Sequence, residues 1–224
     1  MEEVLRAWEY MVGHPGTVLG WTGEHLRLIL IAAGIAIVLG VAMGVFISGR
    51  GRERIAEIAL YTADVGMTIP SLAMFGILMI ILAAIELPSI GNLPVYVALV
   101  IYGQLPILRN TYTAIRAVDP AVIEAGRGMG MSEWQILFKI RLRLAVPVIM
   151  AGLRNAIVLL IGIATIGSVI GGGGLGRPIF RGLGRGGQTH FILTAAVIVT
   201  ILAVAMDLLM AQVERLLTPR GLRR

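Results

Sequence analysis

The chain has 224 residues, of which 57% are hydrophobic and 14% charged, with 29 glycines, no cysteine and a formal net charge of +6. A soluble domain carries about 45–50% apolar and about 25% charged residues, so this excess cannot be hidden in one core, and the composition is that of a membrane protein. Disorder, disulfide scaffolds, thiolate metal sites and cysteine nucleophiles are excluded, and basic residues scattered between apolar runs set nucleic acid aside as a partner.

In chain order, residues 1–20 carry Trp8, Tyr10 and Met11 before a break at His14-Pro15-Gly16, a pattern that predicts a short external interfacial helix ahead of a transmembrane domain over 21–224. A hydrocarbon core of about 30 Å needs about 20 apolar residues in a helix. The first span is 28–48, free of charge and too long for a cleaved signal peptide. Ala32, Ala36, Gly40, Gly44 and Ser48 recur in it every four residues, a stripe of small side chains that lets another helix approach closely. The run 55–86 follows, with Thr68-Ile69-Pro70-Ser71 at its middle. Proline removes a backbone donor and pushes Ile69 out of the helical region, so a kink or break is predicted there.

The third span is 94–115, and a long loop, 116–146, separates it from a fourth span at 147–170. Asp119 ahead of Pro120 reads as an N-cap followed by proline at the first helical position. Gly128 and Gly130 end that helix, and Ser132 with Gln135 has the spacing of a capping box for a second one. Ile136, Leu137, Ile140 and Leu144 supply its apolar stripe. The prediction is helix, glycine turn, helix, a cytoplasmic knob shaped to dock in a groove of a partner.

Between the fourth span and the fifth, 191–213, lies a glycine-rich stretch. Gly171, Gly173 and Gly176, and again Gly182, Gly184 and Gly187, formally satisfy a dinucleotide-binding spacing, but no strand precedes them. An external loop in which Arg177, Pro178, Arg181 and Arg185 cap the bundle is the more physical reading. No glycine frame surrounds Lys139, the one lysine, so a Walker A phosphate loop is missing. His14, His25 and His190 have no ligand spacing, and no metal or other cofactor is expected.

With 55–86 counted as one crossing there are five spans. One side then holds 12 of the 19 basic residues and the other 5, with Arg109 and Arg154 inside spans. The positive-inside rule puts the richer side, with the 116–146 loop and the C-terminus, in the cytoplasm and the N-terminus outside. At about 1.5 Å rise per residue, Asp64, Arg109, Arg154 and Asp207 all fall on the order of 10–13 Å from the cytoplasmic edge. Two acids and two bases at one depth predict an intramembrane ionic layer that holds the inward gate or relays movement of the knob, against the alternative of arginines that snorkel to the headgroups.

Glu124-Ala125-Gly126, then Gly130 and Ile140, resemble the EAA signature of ABC-importer permeases, with Gly126 in place of the second alanine and Leu142-Arg143 where Leu-Pro is usual. Thr22-Gly-Glu-His25-Leu, Thr68-Ile-Pro70-Ser71-Leu, the segment from Leu105 through Arg109 and Asn110 to Thr113, and Gly171-Gly-Gly-Gly-Leu175-Gly176 are similar to segments of the glycine betaine/carnitine/choline branch of that family. The resemblance implies an all-α membrane bundle of type I permease architecture and a translocation subunit without its own ATPase site. It further implies a bacterial or archaeal cell membrane location. Its partners would be a cytoplasmic ATPase dimer on Glu124, Ala125, Gly126, Gly130 and Ile140, an external solute-binding protein, a second permease subunit and membrane lipid. The cargo would be a small quaternary amine, with Thr68, Pro70, Ser71, Tyr102 and Asn110 as candidate lining of the path. A methionine-type permease and an ion-coupled secondary transporter are the alternatives. Phe75 and Tyr102, the mid-span aromatics, do not make an aromatic cage on sequence grounds.

Overall fold

A proline at a helix's first position gives up a donor that has no partner anyway, and Pro15 uses that place to open the longest helix. The computed structural model describes residues 1–184 and 188–218 and is all-helical over them. Its helices are α1 (Glu2–Gly13), α2 (Pro15–Ile47), α3 (Glu53–Thr68), α4 (Ser71–Ala84), α5 (Asn92–Arg116), α6 (Pro120–Gly128), α7 (Glu133–Ile136), α8 (Leu142–Ile166), α9 (Gly176–Gly184) and α10 (Thr189–Leu217). A π turn at Leu137–Arg141 joins α7 to α8, and a 3-10 turn at Gly167–Ile170 follows α8. Arg185 and Gly187 lie outside the described residues.

Apolar runs mark the membrane parts of these helices but not their ends. α2 starts 13 residues before the run 28–48, because backbone hydrogen bonding continues past the hydrocarbon. The fourth span, expected to start at 147, is the inner part of a helix unbroken from Glu133 to Ile170. In the π turn the Leu142 N–H reaches back to the Leu137 carbonyl and carries α7 straight into α8, so the expected second knob helix is the first part of the helix that holds the fourth span. Lys139, Arg141 and Arg143 lie within that helix and do not end it.

The run 55–86 is more than kinked. α3 and α4 are bent by 106° about Ile69-Pro70, whose backbone is extended. Among the described residues three helices are long and apolar enough to cross a bilayer, or four where the bent pair counts as one span. The predicted count of five depends on α5, which is long enough at about 37 Å but is interrupted by Gln104, Arg109 and Asn110. α5 is central, packed most extensively on α2 and α8, and a helix shielded by neighbours need not be apolar all round.

The main core brings Leu28 and Ile29 of α2, Phe75 of α4, Leu99 and Tyr102 of α5, and Leu160 and Ile161 of α8 together, all nearly inaccessible. Beside it the predicted small stripe, Ala32, Ala36, Gly40, Gly44 and Ser48, is buried throughout, its glycines against α5. A Cβ at Gly40 would stand 2.7 Å from Ile107 Cγ2, and one at Gly44 2.6 Å from Thr111 Cβ. On the opposite side of α5, a Cβ at Gly152 of α8 would lie 2.7 Å from the Pro106 carbonyl oxygen. Overpacking such a contact costs about 1–3 kcal/mol. Gly44→Val is therefore expected to lower stability by about that amount in detergent unfolding, whereas Gly34→Val, on the same helix with nothing within 4 Å, leaves it unchanged.

Candidate functional site

The knob is built as its sequence directs. The Ala121 N–H donates to the Asp119 carboxylate at 2.8 Å, which caps α6. Gly130 takes a φ of +77°, a value that favours glycine, and reverses the chain. The capping box closes on both sides, with the Gln135 N–H donating to Ser132 Oγ at 3.3 Å and the Ser132 N–H donating to Gln135 Oε1 at 2.9 Å. Val118, Ile123 and Ile136 form a small core of their own, with Met131 and Ile140 packed against it. Gly126 is buried there, and a Cβ on it would come 2.9 Å from Ile140 Cδ1. That is the space the alanine methyl of the usual pattern would need, so the glycine and Ile140 fit as a pair. An Arg127–Glu133 ion pair at 2.8 Å ties α6 to α7.

Glu124 and Ala125 are exposed on the outer surface of α6. Glu124 also lines a notch of about 250 Å³ with Arg50, Arg116, Arg127 and Arg141. Met129 and Trp134 are at least 70% exposed, and Trp134 stacks on Phe138 with centroids 5.9 Å apart. This aromatic pair was not singled out from the sequence, although its four-residue spacing on a helix signals it.

At the break, Tyr102 is buried in the core and its hydroxyl donates to the Ile69 carbonyl at 2.5 Å. It thus satisfies an acceptor that the interrupted helix leaves open. Thr68 and Pro70 are exposed and Ser71 half-buried, with the Thr68 hydroxyl donating to the Val65 carbonyl. Asn110 lies a full helix segment away, against Gly152, and its amide donates to the Pro106 carbonyl at 2.7 Å. The five candidate lining residues therefore divide into the break with its Tyr102 strut and a separate α5–α8 contact. Phe75 is fully buried and joins no cage.

The four intramembrane charges form two pairs on different helices. Arg109 Nη2 of α5 reaches both carboxylate oxygens of Asp64 of α3, at 2.8 and 2.5 Å. Arg154 of α8 grips Asp207 of α10 through two nitrogens, Nη2 to Oδ2 at 2.5 Å. Arg154 thus ties down α10, whose membrane stretch is the least covered of the long helices. A groove of about 500 Å³ runs beside this second pair, between Asn155, Val158 and Leu159 of α8 and Ala203, Val204 and Asp207 of α10.

At the other end of the bundle the two motifs around Glu24 and the glycine loop meet. Glu24 Oε2 accepts from the Gly174 N–H at 3.0 Å and pairs with Arg177 at 2.8 Å. Asn92 Oδ1 accepts from the Gly173 N–H at 3.1 Å. His25 is buried beside Gly174, its Nε2 at 3.2 Å from the Ile161 carbonyl oxygen. His14 stacks on Tyr10, and Tyr10 with Trp21, His190 and Phe191 joins α1, α2 and α10. Arg181 lies over the Phe191 ring at 4.6 Å, and Pro178 is buried.

Residues 36–220 match the family described as binding-protein-dependent transport system inner membrane component. The chain is 40% identical over 214 residues to the osmoprotectant import permease protein OsmW of Salmonella typhimurium, covering 96% of this chain and 98% of that one. It is 42% identical over 213 residues to the glycine betaine/carnitine/choline transport system permease protein OpuCB of Bacillus subtilis, covering 95% and 94%. Among solved structures the MetNI methionine ABC transporter in an inward-facing conformation superposes with a TM-score of 0.75 at 23% identity, over 90% of this chain and 96% of that one, which is a likeness of fold.

Removing one partner of an ion pair at membrane depth leaves a charge with no compensation. Asp64→Arg or Arg109→Asp alone is expected to cut recovery of monodisperse protein in size-exclusion chromatography several-fold, and the double exchange to restore it. Arg154→Asp with Asp207→Arg should behave alike; failure of both double exchanges would show that the pairs do not hold the helices.

Proposed function

This chain belongs to the inner-membrane components of binding-protein-dependent transport systems, and from that premise we propose that it is the permease subunit of an ABC importer for a small quaternary-ammonium osmoprotectant. The observation that carries this reading is the α6–α7 knob: a preformed projection with its own small core, an exposed Glu124 and exposed apolar side chains at Met129 and Trp134. A folded knob presents a fixed face to a groove, whereas a mobile loop would have to be ordered on binding.

In this proposal five spans cross the bilayer, α5 included, with the N-terminus outside and the knob and C-terminus in the cytoplasm. Two ATPases bind the knobs of two permease subunits, and an external solute-binding protein delivers cargo at the end where Glu24 clasps the glycine loop. ATP-driven closure pushes α6 and α7. Because the π turn runs α7 into α8, the push passes along a continuous helix into the bundle. Alternating access moves the solute without chemistry upon it, since each state need only expose the path to one side. Both intramembrane acids are held by arginines, so neither is free to carry a coupling ion. Resemblance to permeases named for osmoprotectant, glycine betaine, carnitine and choline supports the cargo class.

The complex with its ATPase and binding protein, reconstituted in vesicles, is expected to take up labelled glycine betaine, carnitine or choline only with internal ATP, uninhibited by methionine. Gly130→Val, strained at a positive φ, and Glu124→Lys are each expected to lower co-purified ATPase by about tenfold, the loss of one hot-spot contact. Uptake driven by an ion gradient without ATPase would overturn the proposal.

A further inference from the structure

A second groove lies beside the knob, between the end of α2 and the start of the Glu133–Ile170 helix. It encloses about 710 Å³, and its wall is mostly apolar: Ala42, Val45 and Phe46 on one side, Trp134 and Leu137 on the other. Its rim is charged, with Arg50, Arg52 and Arg141 against the single acid Glu133. Glu133 is already engaged by Arg127 at 2.8 Å. Arg52 lies 3.9 Å over the Phe46 ring and donates to the Phe46 carbonyl at 2.7 Å. That leaves Arg50 and Arg141 sharing the groove's single acid, Glu133, with Arg127, so positive charge is in excess at the rim. Arg141 Nε is buried without a hydrogen-bond partner, and its charge feels Glu133 on one side against Arg127, Arg50 and Arg116 on the other. Of those, Arg116 has Glu53 at 3.5 Å and Arg127 has Glu133.

Such a groove asks for a ligand with an anionic head and an apolar body. From Ala42 to Ser48 the apolar wall follows the last turns of α2 for about 9 Å, down into the stretch that lies in the hydrocarbon. A soluble acidic partner does not reach that depth, and free phosphate has no use for the apolar wall. We infer that the structure holds a binding site for one anionic phospholipid of the cytoplasmic leaflet, its phosphate between Arg50 and Arg141 and an acyl chain along Ala42, Val45, Phe46 and Leu137. The match is electrostatic at the rim, where that leaflet is negatively charged, and hydrophobic below it. Because Arg50 and Arg141 also border the notch that contains Glu124, the bound phosphate would screen the arginine cluster beneath the knob. The inference rests on the membrane orientation proposed above.

The test uses the assembled complex with its ATPase in nanodiscs containing trace photoactivatable phosphatidylglycerol or phosphatidylcholine. Crosslinks from the phosphatidylglycerol probe are expected to map to peptides spanning 42–52 and 133–141, several-fold above those from phosphatidylcholine. Arg50→Gln and Arg141→Gln should each lower that yield about fivefold, Arg50→Lys and Arg141→Lys should keep most of it, and excess glycerol phosphate should not compete. Equal labelling by the two probes, or labelling unchanged in the Gln variants, would overturn the inference. So would loss of ATPase or of the second permease copy in the Gln variants with lipid labelling intact, since the groove would then belong to a protein partner. ATPase recovery from the wild-type complex is read in the same sample, so an error in the permease assignment shows as absent ATPase and stays separate from an error in the lipid site.

Discussion

The close seating of α5 between α2 and α8 is the contact from which the other features of the bundle follow. It exists because side chains are missing where the helices cross: Gly40 and Gly44 on one side, Gly152 on the other, and Gly103 on α5 itself, where a Cβ would stand 3.0 Å from that of Ala36. In lipid no hydrophobic force draws apolar helices together, so association depends on contact area and on hydrogen bonds made at short range. Near contact also brings polar groups within reach, and the Gln104 amide donates across to the Ala36 carbonyl at 3.4 Å. Once sheltered on two sides, α5 can hold the half-buried Gln104 and Asn110 where a lipid-facing helix could not, while the exposed Arg109 is held by Asp64 instead.

Around this three-helix centre the remaining elements are attached by polar links. α3 is tied to α5 by Asp64 and Arg109, and α10 to α8 by Asp207 and Arg154. Tyr102 bonds the open carbonyl at the α3–α4 break. At the end carrying the glycine loop, Glu24 and Asn92 hold the backbone of Gly173 and Gly174. The Gly91 N–H donates to the Ile170 carbonyl at 2.8 Å beside them. Links of this kind are directional, so they fix how each peripheral helix is rotated, which apolar packing alone leaves loosely specified. α7, α8 and α10 are thereby joined through one continuous helix and the Arg154–Asp207 pair.

Much of this was legible in the residues, and the limits have physical causes. The small stripe on α2 could be read from its four-residue spacing, and that Asp64, Arg109, Arg154 and Asp207 would pair could be read from their opposite signs. Which acid meets which arginine could not, because pairing depends on which helices are neighbours. The helices of the first and fourth spans begin well before 28 and 147, since hydropathy reports the apolar stretch while the hydrogen-bond ladder runs beyond it. The α6 cap, the Gly130 reversal and the Ser132–Gln135 box were legible because each is satisfied within a few residues. The Tyr102–Ile69 and Glu24–Gly174 bonds span 33 and 150 positions, and only the folded chain brings them together. Gly126 looked like a departure from a pattern until Ile140 was seen to fill the space.

The same economy of polar groups bears on how a cation would cross. Within the described residues of one protomer, Phe75 is sealed in the core, Tyr102 has given its hydroxyl to Ile69, and the half-buried Tyr10 packs in the cluster that joins α1, α2 and α10, away from the break. A quaternary ammonium binds well only where several aromatic faces converge, and no such convergence faces the break. Tight binding midway would also oppose transport, because a carrier that holds its cargo strongly in one state must supply that energy again to release it. Strong recognition on a separate delivering protein, with none midway through the bundle, avoids that cost.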